Sequence, residues 1–502
     1  MDTTSADTPS VRASGILVHP TSFPGRYGIG DLGSGARLVL DFLAAGRQRL
    51  WQVLPLGPTG YGDSPYASFS AFAGNHTLIS AERLVEHGWL DADDLADAPT
   101  FLDDHVDFGP VITWKLAVLR RAHERFESTA TTSARAELEA FREERRVWLD
   151  DYTLFMALKE AHAGAEWTQW EPELAARRPD ALVAARTALD GAVRFHVFLQ
   201  WVFATQWADL CVYAHEHDIR VVGDLAIFVA HDSADVWANP GLFRLDANGQ
   251  PTVVAGVPPD YFSRTGQRWG NPLYRWDALA ATGYAWWIER VRATLALADL
   301  LRIDHFRGFH AYWEVPAGEP TAEHGHWVSG PGAALFQAID GALGHVPLIA
   351  EDLGLITPGV RRLRESLGYP GMKVLQFAFD TDARNTHLPQ AYTRDTVVYT
   401  GTHDNDTLQG WFATRGTAER ANILRYTGGD GKEIHWDLIR LALDSPAEIA
   451  IIPLQDVLGL GSAARMNTPG RAGGNWAWRC TAEQLDQTLS ARLAQITAAA
   501  GR

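Results

Sequence analysis

The chain has 502 residues, 46% apolar and 21% charged, with 44 basic against 61 acidic side chains and a formal charge of −17. This is the composition of a folded globular protein and excludes a disordered one. The acidic excess argues against nucleic acid or an anionic membrane as partner, because both call for a basic surface. Taken in chain order, the first residues, MDTTSADTPSVRASG, hold neither a basic nor an apolar stretch. No apolar run reaches the roughly 18 residues a membrane span needs. We therefore expect no secretory leader and a cytoplasmic location. Cys211 and Cys480, the only cysteines, are too few for a disulfide framework and suit a reducing compartment.

Eight short runs rich in apolar and β-branched residues recur, at 15–19, 50–56, 220–227, 300–305, 347–351, 373–377, 396–400 and 448–453. They lack strict alternation, as parallel strands buried on both faces do. Helical patterns lie between several of them. Ser34–Ala45 puts Val39, Phe42 and Leu43 on one face and is followed by Gly46. Thr357-Pro358 reads as an N-cap with proline in the first turn, ahead of the stripe Val360, Leu363, Leu367 and the stop at Gly368. Eight such units predict an α/β fold, a (β/α)8 barrel formed by one domain over 1–502. Three insertions follow strands two, three and seven. The first, 57–218, is expected to be largely helical, with helical stretches at 114–126, 133–159 and 181–216. The second, 228–276, is rich in proline, glycine and aromatic residues and is expected to carry a lid. The third is 410–445.

Insertions that leave strand C-termini rise over the face where barrel active sites form. Chemistry-bearing residues gather at the same ends: His19, Asp224, Asp304-His305, Glu351-Asp352, Gln376, His403-Asp404 and Asp456. Four acids converging on one mouth (Asp224, Asp304, Glu351, Asp404) raise one another's cost of ionisation. Glycoside chemistry uses that arrangement, with one carboxylate as nucleophile and one carboxylic acid as proton donor. Arg302 lies two residues before Asp304, hence on the same side of a strand, and supplies the cation beneath a nucleophile. Glu351 has no such neighbour and is the better proton donor. In the second insertion Tyr261, Phe262, Trp269, Tyr274 and Trp276 offer ring faces to sugar C–H groups, with Trp269 beside Gly270 the best placed. Segment 461–478, with Asn467, Arg471, Gly473, Gly474, Asn475 and Trp476, suits a loop that hydrogen-bonds hydroxyls.

Some signals carry less. Residues 28–33, GIGDLG, satisfy a dinucleotide fingerprint in letters, but Pro20 and Pro24 separate them from the preceding strand and no acid stands near Leu50. His215-Glu216-His217-Asp218 reads as a solvated helix end, and His324 and His326 as loop residues. We expect no cofactor and no required metal.

The long motifs HPTSFPGRYGIGDLG, GDSPYASFSAFAGN, VVGDLAIFVAHDSADVW, GVPPDYFSRTGQRWGNPLYRW, RIDHFRGF, AEDLG and TGTHDND, in this order, resemble the 4-α-glucanotransferases called amylomaltases or disproportionating enzymes, relatives of the α-amylases. The resemblance runs from Gly15 to Trp478. It implies Asp304 as nucleophile with Arg302 before it, Glu351 as general acid/base, and Asp404 as transition-state stabiliser beside His403. It also implies Asp224 as a further site aspartate and Tyr66 as the ring that stacks on the sugar at the cleavage point. The implied reaction is a retaining transfer between α-1,4-glucans, or from a glucan to glucose. The family lacks the C-terminal β-sandwich of typical amylases, and we expect none here. An α-1,4-glucan hydrolase with the same residues is the alternative, and a non-catalytic glucan-binding barrel a more distant one.

Overall fold

A computed structural model describes residues 12–260, 263–380, 384–471 and 473–502. Twelve strands run through it: β1 (Ala13–Leu17), β2 (Leu50–Gln52), β3 (Arg220–Leu225), β4 (Val253–Val257), β5 (Gln267–Pro272), β6 (Leu300–Ile303), β7 (Ala311–Pro316), β8 (His326–Ser329), β9 (Leu348–Ala350), β10 (Gly371–Val374), β11 (Thr396–Tyr399) and β12 (Ile449–Pro453). Eight of these close into a barrel in the order β1-β12-β11-β10-β9-β6-β3-β2, and every pairing around it is parallel. Each of the eight expected runs overlaps a barrel strand; β1 and β10 begin two residues before their runs, and all but β12 end short of theirs. Gly15 marks how tightly the closure packs, since a Cβ there would lie 2.3 Å from the Leu50 carbonyl oxygen.

The strands stop early because their last expected residues turn away to build the mouth. Asp304 N still donates to Leu225 O at 3.0 Å, but His305 is left-handed at φ 51° and ψ 46°, and the chain leaves the sheet there. Gln376 likewise sits in the one-turn helix Leu375–Phe377 instead of ending a strand.

The helix Ser34–Ala45 forms as expected. Thr357 caps Pro358–Ser366, its hydroxyl oxygen accepting from Val360 N. The long helical stretches of the first insertion are broken. Residues 133–159 divide at Arg145 into Thr132–Glu144 and Arg146–Ala161, and 181–216 divides at Leu189 into Pro179–Ala188 and Asp190–Glu216. Neither break carries glycine or proline at the joint, so periodicity alone ran across it.

The second insertion is not only a loop. It contributes β4 and β5 to an antiparallel sheet of order β5-β4-β7-β8. The partners β7 and β8 come from an excursion after β6 that the sequence did not announce, and His326 opens β8. Tyr261 and Phe262 lie outside the described residues. The third insertion is helical, Leu408–Ala413, Thr417–Thr427 and Ile434–Asp444, and the last helix buries Ile434, Leu438, Ile439, Ala442 and Leu443. Among the described residues no further sheet follows β12, and no helix is long and apolar enough to cross a membrane.

Candidate active site

The top of the barrel interior is polar. On β3 and β6, Asp224 pairs in register with Arg302, so the two buried side chains meet side by side. Arg302 Nη1 donates to both Asp224 oxygens, at 2.7 and 2.8 Å, and Nη2 donates to Asp304 Oδ1 at 2.8 Å. Burial alone would lower Arg302, but Asp224 and Asp304 together raise it well above its ordinary value, so it is a fixed cation. Burial, helped by the charge of Asp304, pushes Asp224 upward against the pull of that guanidinium. Tyr66 Oη donates to Asp224 Oδ2 at 2.6 Å.

Glu351 follows β9, which pairs with β6 so that Ala350 faces Ile303. Asp304 and Glu351 are therefore the next residues on adjacent strands, whose spacing is about 4.8 Å. Two backbone bonds lock this corner: Glu351 N to Ile303 O at 3.0 Å and Phe306 N to Glu351 O at 3.1 Å. The carboxyl accepts from Leu353 N and from the left-handed His305 N, each at 2.7 Å. Those donors and Arg302 favour the anion, yet burial first and the charge of Asp304 second push Glu351 up to about 7. A carboxylic acid with that value can hold a proton and release it near neutrality.

Asp404 comes from the turn after β11. Asn405 Oδ1 ties that turn by accepting from Thr402 N and Oγ1, at 2.8 and 2.9 Å. Asp404 Oδ1 accepts from Asn467 Nδ2 at 2.6 Å, and His403 Nε2 lies 3.4 Å from the same oxygen. Arg465 spans from Asp404 O to Asn467 O, at 2.5 and 2.7 Å, so the loop after β12 grips the Asp404 turn. The Tyr66 and His403 rings stack at 5.0 Å, with Trp476 at 5.9 Å from Tyr66. Trp269, on β5, is 37% exposed and meets the His305 ring edge-on at 4.8 Å. Tyr66, Trp269, Asp304, His403, Asp404 and Trp476 line one cleft of about 790 Å³.

Of the residues singled out in the sequence, Tyr66, Trp269, Asp304, His403, Asp404, Asn467, Arg471, Asn475 and Trp476 line the cleft and Asp224 and Arg302 bond into it, whereas Tyr274, Trp276 and Asp456 do not line it. Asn475 lines the cleft, but its amide is spent on its own loop, accepting from Thr468 N at 3.0 Å and donating to Arg471 O at 2.8 Å. His19 accepts from Leu54 N at 3.3 Å and is pulled down to about 3 by burial, then by His403, so it is a neutral structural ring. Asp456 accepts from Thr400 Oγ1 and Leu408 N, away from the cleft lining. The Asn467–Asp404 bond was not foreseen; only the amides of segment 461–478 hinted at it. Among the described residues no group of three or more His, Cys, Asp or Glu side chains could hold a metal.

Comparison with known proteins gives the family and the fold. The family model described as 4-alpha-glucanotransferase matches residues 18–485. The chain is 52% identical over 495 residues to a 4-alpha-glucanotransferase of Synechocystis, covering 98% of each. It is 52% identical over 499 residues to one of Thermus thermophilus, covering 98% of this chain and 99% of that protein. Among solved structures, amylomaltase from Streptococcus agalactiae in complex with acarbose superposes with a TM-score of 0.95 at 38% identity, covering 98% of this chain and 99% of that one.

Proposed function

Since the chain belongs to the 4-alpha-glucanotransferase family, we propose that Asp304, Glu351 and Asp404 carry out the transfer by a retaining double displacement. The free oxygen of Asp304 attacks the anomeric carbon of an α-1,4-linked glucosyl unit. The bond to the glycosidic oxygen breaks as Glu351 gives that oxygen its proton. The reducing-side fragment departs, leaving the other fragment esterified to Asp304. Glu351, now a carboxylate, takes the proton from the 4-hydroxyl of an incoming glucan or glucose, which attacks the same carbon and frees Asp304. The observation that carries this reading is Glu351, raised to about 7 one strand away from an Asp304 bonded to Arg302.

Arg302 and Asp224 hold the nucleophile from below. Asp404 and Asn467 offer hydrogen bonds to ring hydroxyls, and Tyr66 and Trp476 a ring surface for sugar C–H groups. Trp269 covers the ester from the side of β5 and favours a sugar acceptor over water. Segments 57–218, 228–276 and 410–445 act as subdomains of a single barrel domain. Maltooligosaccharides and glucose are the acceptors, and the free Cys211 and Cys480 support a reducing, cytoplasmic setting.

Maltotriose as sole substrate tests the reaction. Transfer yields glucose plus longer oligosaccharides at a constant number of reducing ends. A steady rise in reducing ends instead would make the protein a hydrolase and overturn the proposal.

A further inference from the structure

A second cavity, of about 980 Å³, shares none of the catalytic cleft's lining residues. One thin wall divides the two. Glu166, His231 and Asp232 face the cleft; Trp167, Thr168 and Gly249 face the second cavity. The wall is stitched by Trp167 Nε1 donating to His231 O at 2.9 Å and by His231 Nε2 to Gly249 O at 2.8 Å. From Trp269, in the cleft, the chain runs directly to Trp276, in the second cavity. Seven residues of chain reach at most about 25 Å, so the two chambers are near neighbours.

We propose that this cavity is an accessory binding site for α-glucan, engaged by the distal part of a chain whose other part occupies the catalytic cleft. The proposal rests on the glucanotransferase reading above. Its volume is that of a ligand site. Trp167, Trp170, Phe243 and Tyr274 pack into its walls almost fully buried, and the half-buried Trp276 is the ring among these that offers it a surface. Each of its charges is already answered: Arg244 by the buried Glu314 at 2.5 Å, Arg275 by Asp277 at 3.5 Å, and Asp246 by the backbone N–H groups of Asn248 and Gln250. That balance disfavours an anionic or cationic ligand and suits a neutral polyhydroxyl one, for which ring faces and paired donors and acceptors are the recognition chemistry. The Asn248 side-chain amide forms no protein hydrogen bond among the described residues and is exposed to the cavity.

Two linked sites change affinity in a way that depends on ligand length. A chain long enough to fill both binds the second intramolecularly, whereas maltotriose cannot. Two variants outside the catalytic machinery read this out. Arg275→Ala removes an exposed donor, and Ala176→Trp fills the cavity from the end of the short helix Pro172–Ala175. Each is expected to raise KM for long amylose about tenfold or more, with kcat and KM for maltotriose unchanged. In a Glu351→Gln background, calorimetry is expected to count two maltoheptaose molecules per chain, and one after Ala176→Trp. Thermal midpoints equal to the parent's verify folding, and the two variants approach the site through different elements. An unmoved amylose KM together with an unmoved stoichiometry overturns the accessory site while leaving the transferase reading intact. Failure of the parent protein to disproportionate maltotriose overturns the transferase reading itself.

Discussion

At Arg302 one guanidinium faces two carboxylates, and its planar fork lets it bond Asp224 through one nitrogen and Asp304 through the other. Lysine keeps the charge but not the fork. Arg302→Lys should lower kcat on maltotriose by about 10²–10³-fold, the cost of misplacing one preorganised charge contact. Removing the reacting groups themselves should cost more: Asp304→Asn and Glu351→Gln are each expected to lose about 10³-fold or more in kcat, with chains that still unfold cooperatively. Wild-type turnover in either variant would sink the assignment. Glu351 also fixes the pH dependence. It must be protonated to start the reaction, and burial with Asp304 sets its value at about 7, so kcat/KM should fall about tenfold per pH unit above that. A profile flat well into the alkaline range would show that another group donates the proton. The positions of Asp304, Glu351 and Asp404 just beyond β6, β9 and β11 were legible because each sits in a contiguous strand-end motif. The Asn467 partner of Asp404 lies 63 residues away in an aperiodic loop, where sequence offers composition but no geometry.

Strand ends account for most of what the elements did and did not reveal. Runs of Val, Ile and Leu identify the barrel strands, but runs cannot show where a strand stops pairing. The antiparallel sheet β5-β4-β7-β8 stayed hidden because it joins two insertions 50 or so residues apart through backbone bonds, which leave only a weak trace in side-chain periodicity. The arginine at 145 and the leucine at 189 break helices by conformation alone, with no breaker residue to announce it. Asp456 reads in sequence like the other strand-end acids. In the fold it ties Thr400, at the end of β11, to the first turn of Leu408–Ala413 through Leu408 N at 2.7 Å. It thereby braces both ends of the turn that carries Asp404. Burial pushes it up to about 7 in the folded chain, against an unfolded value near 3.9. A raised folded value means that the folded state holds the proton more tightly, so this group's contribution to stability is complete below about 4 and is lost as pH rises through about 7. Asp456→Asn should flatten that part of the stability-versus-pH curve. Asp456→Ala strands a buried N–H and a hydroxyl, and should cost about 1–3 kcal/mol in urea denaturation. If the Asn variant kept the parental slope between pH 4 and 7, the carboxyl would not be the titrating group.

Across the whole molecule, closing the barrel means pairing its first and last strands, β1 and β12, in register from Ala13 and Ile449. This seam gains nothing from local contacts, because nearly the entire chain must already be in place before its two sides can meet. Arg502 is built into it. Its guanidinium donates to Ala13 O at 2.8 Å, 489 residues away, and to Leu443 O, Ala447 O and Glu448 O at 2.8, 2.6 and 2.9 Å. Burial, with Arg12 adding to it, pulls Arg502 down to about 10, which leaves it charged at neutral pH and hydrogen-bonded to uncharged carbonyls. Arg502→Ala would strand several buried acceptors and should cost about 2–4 kcal/mol. Because the seam forms late, that loss belongs to unfolding: the unfolding rate in urea should rise about 30-fold or more while the refolding rate hardly moves. Activity per folded molecule should stay at the parental level, since Arg502 lies at the seam and not among the residues that line the cleft. A variant that refolded slowly but unfolded at the parental rate would place closure early, with the termini nucleating the barrel instead of sealing it.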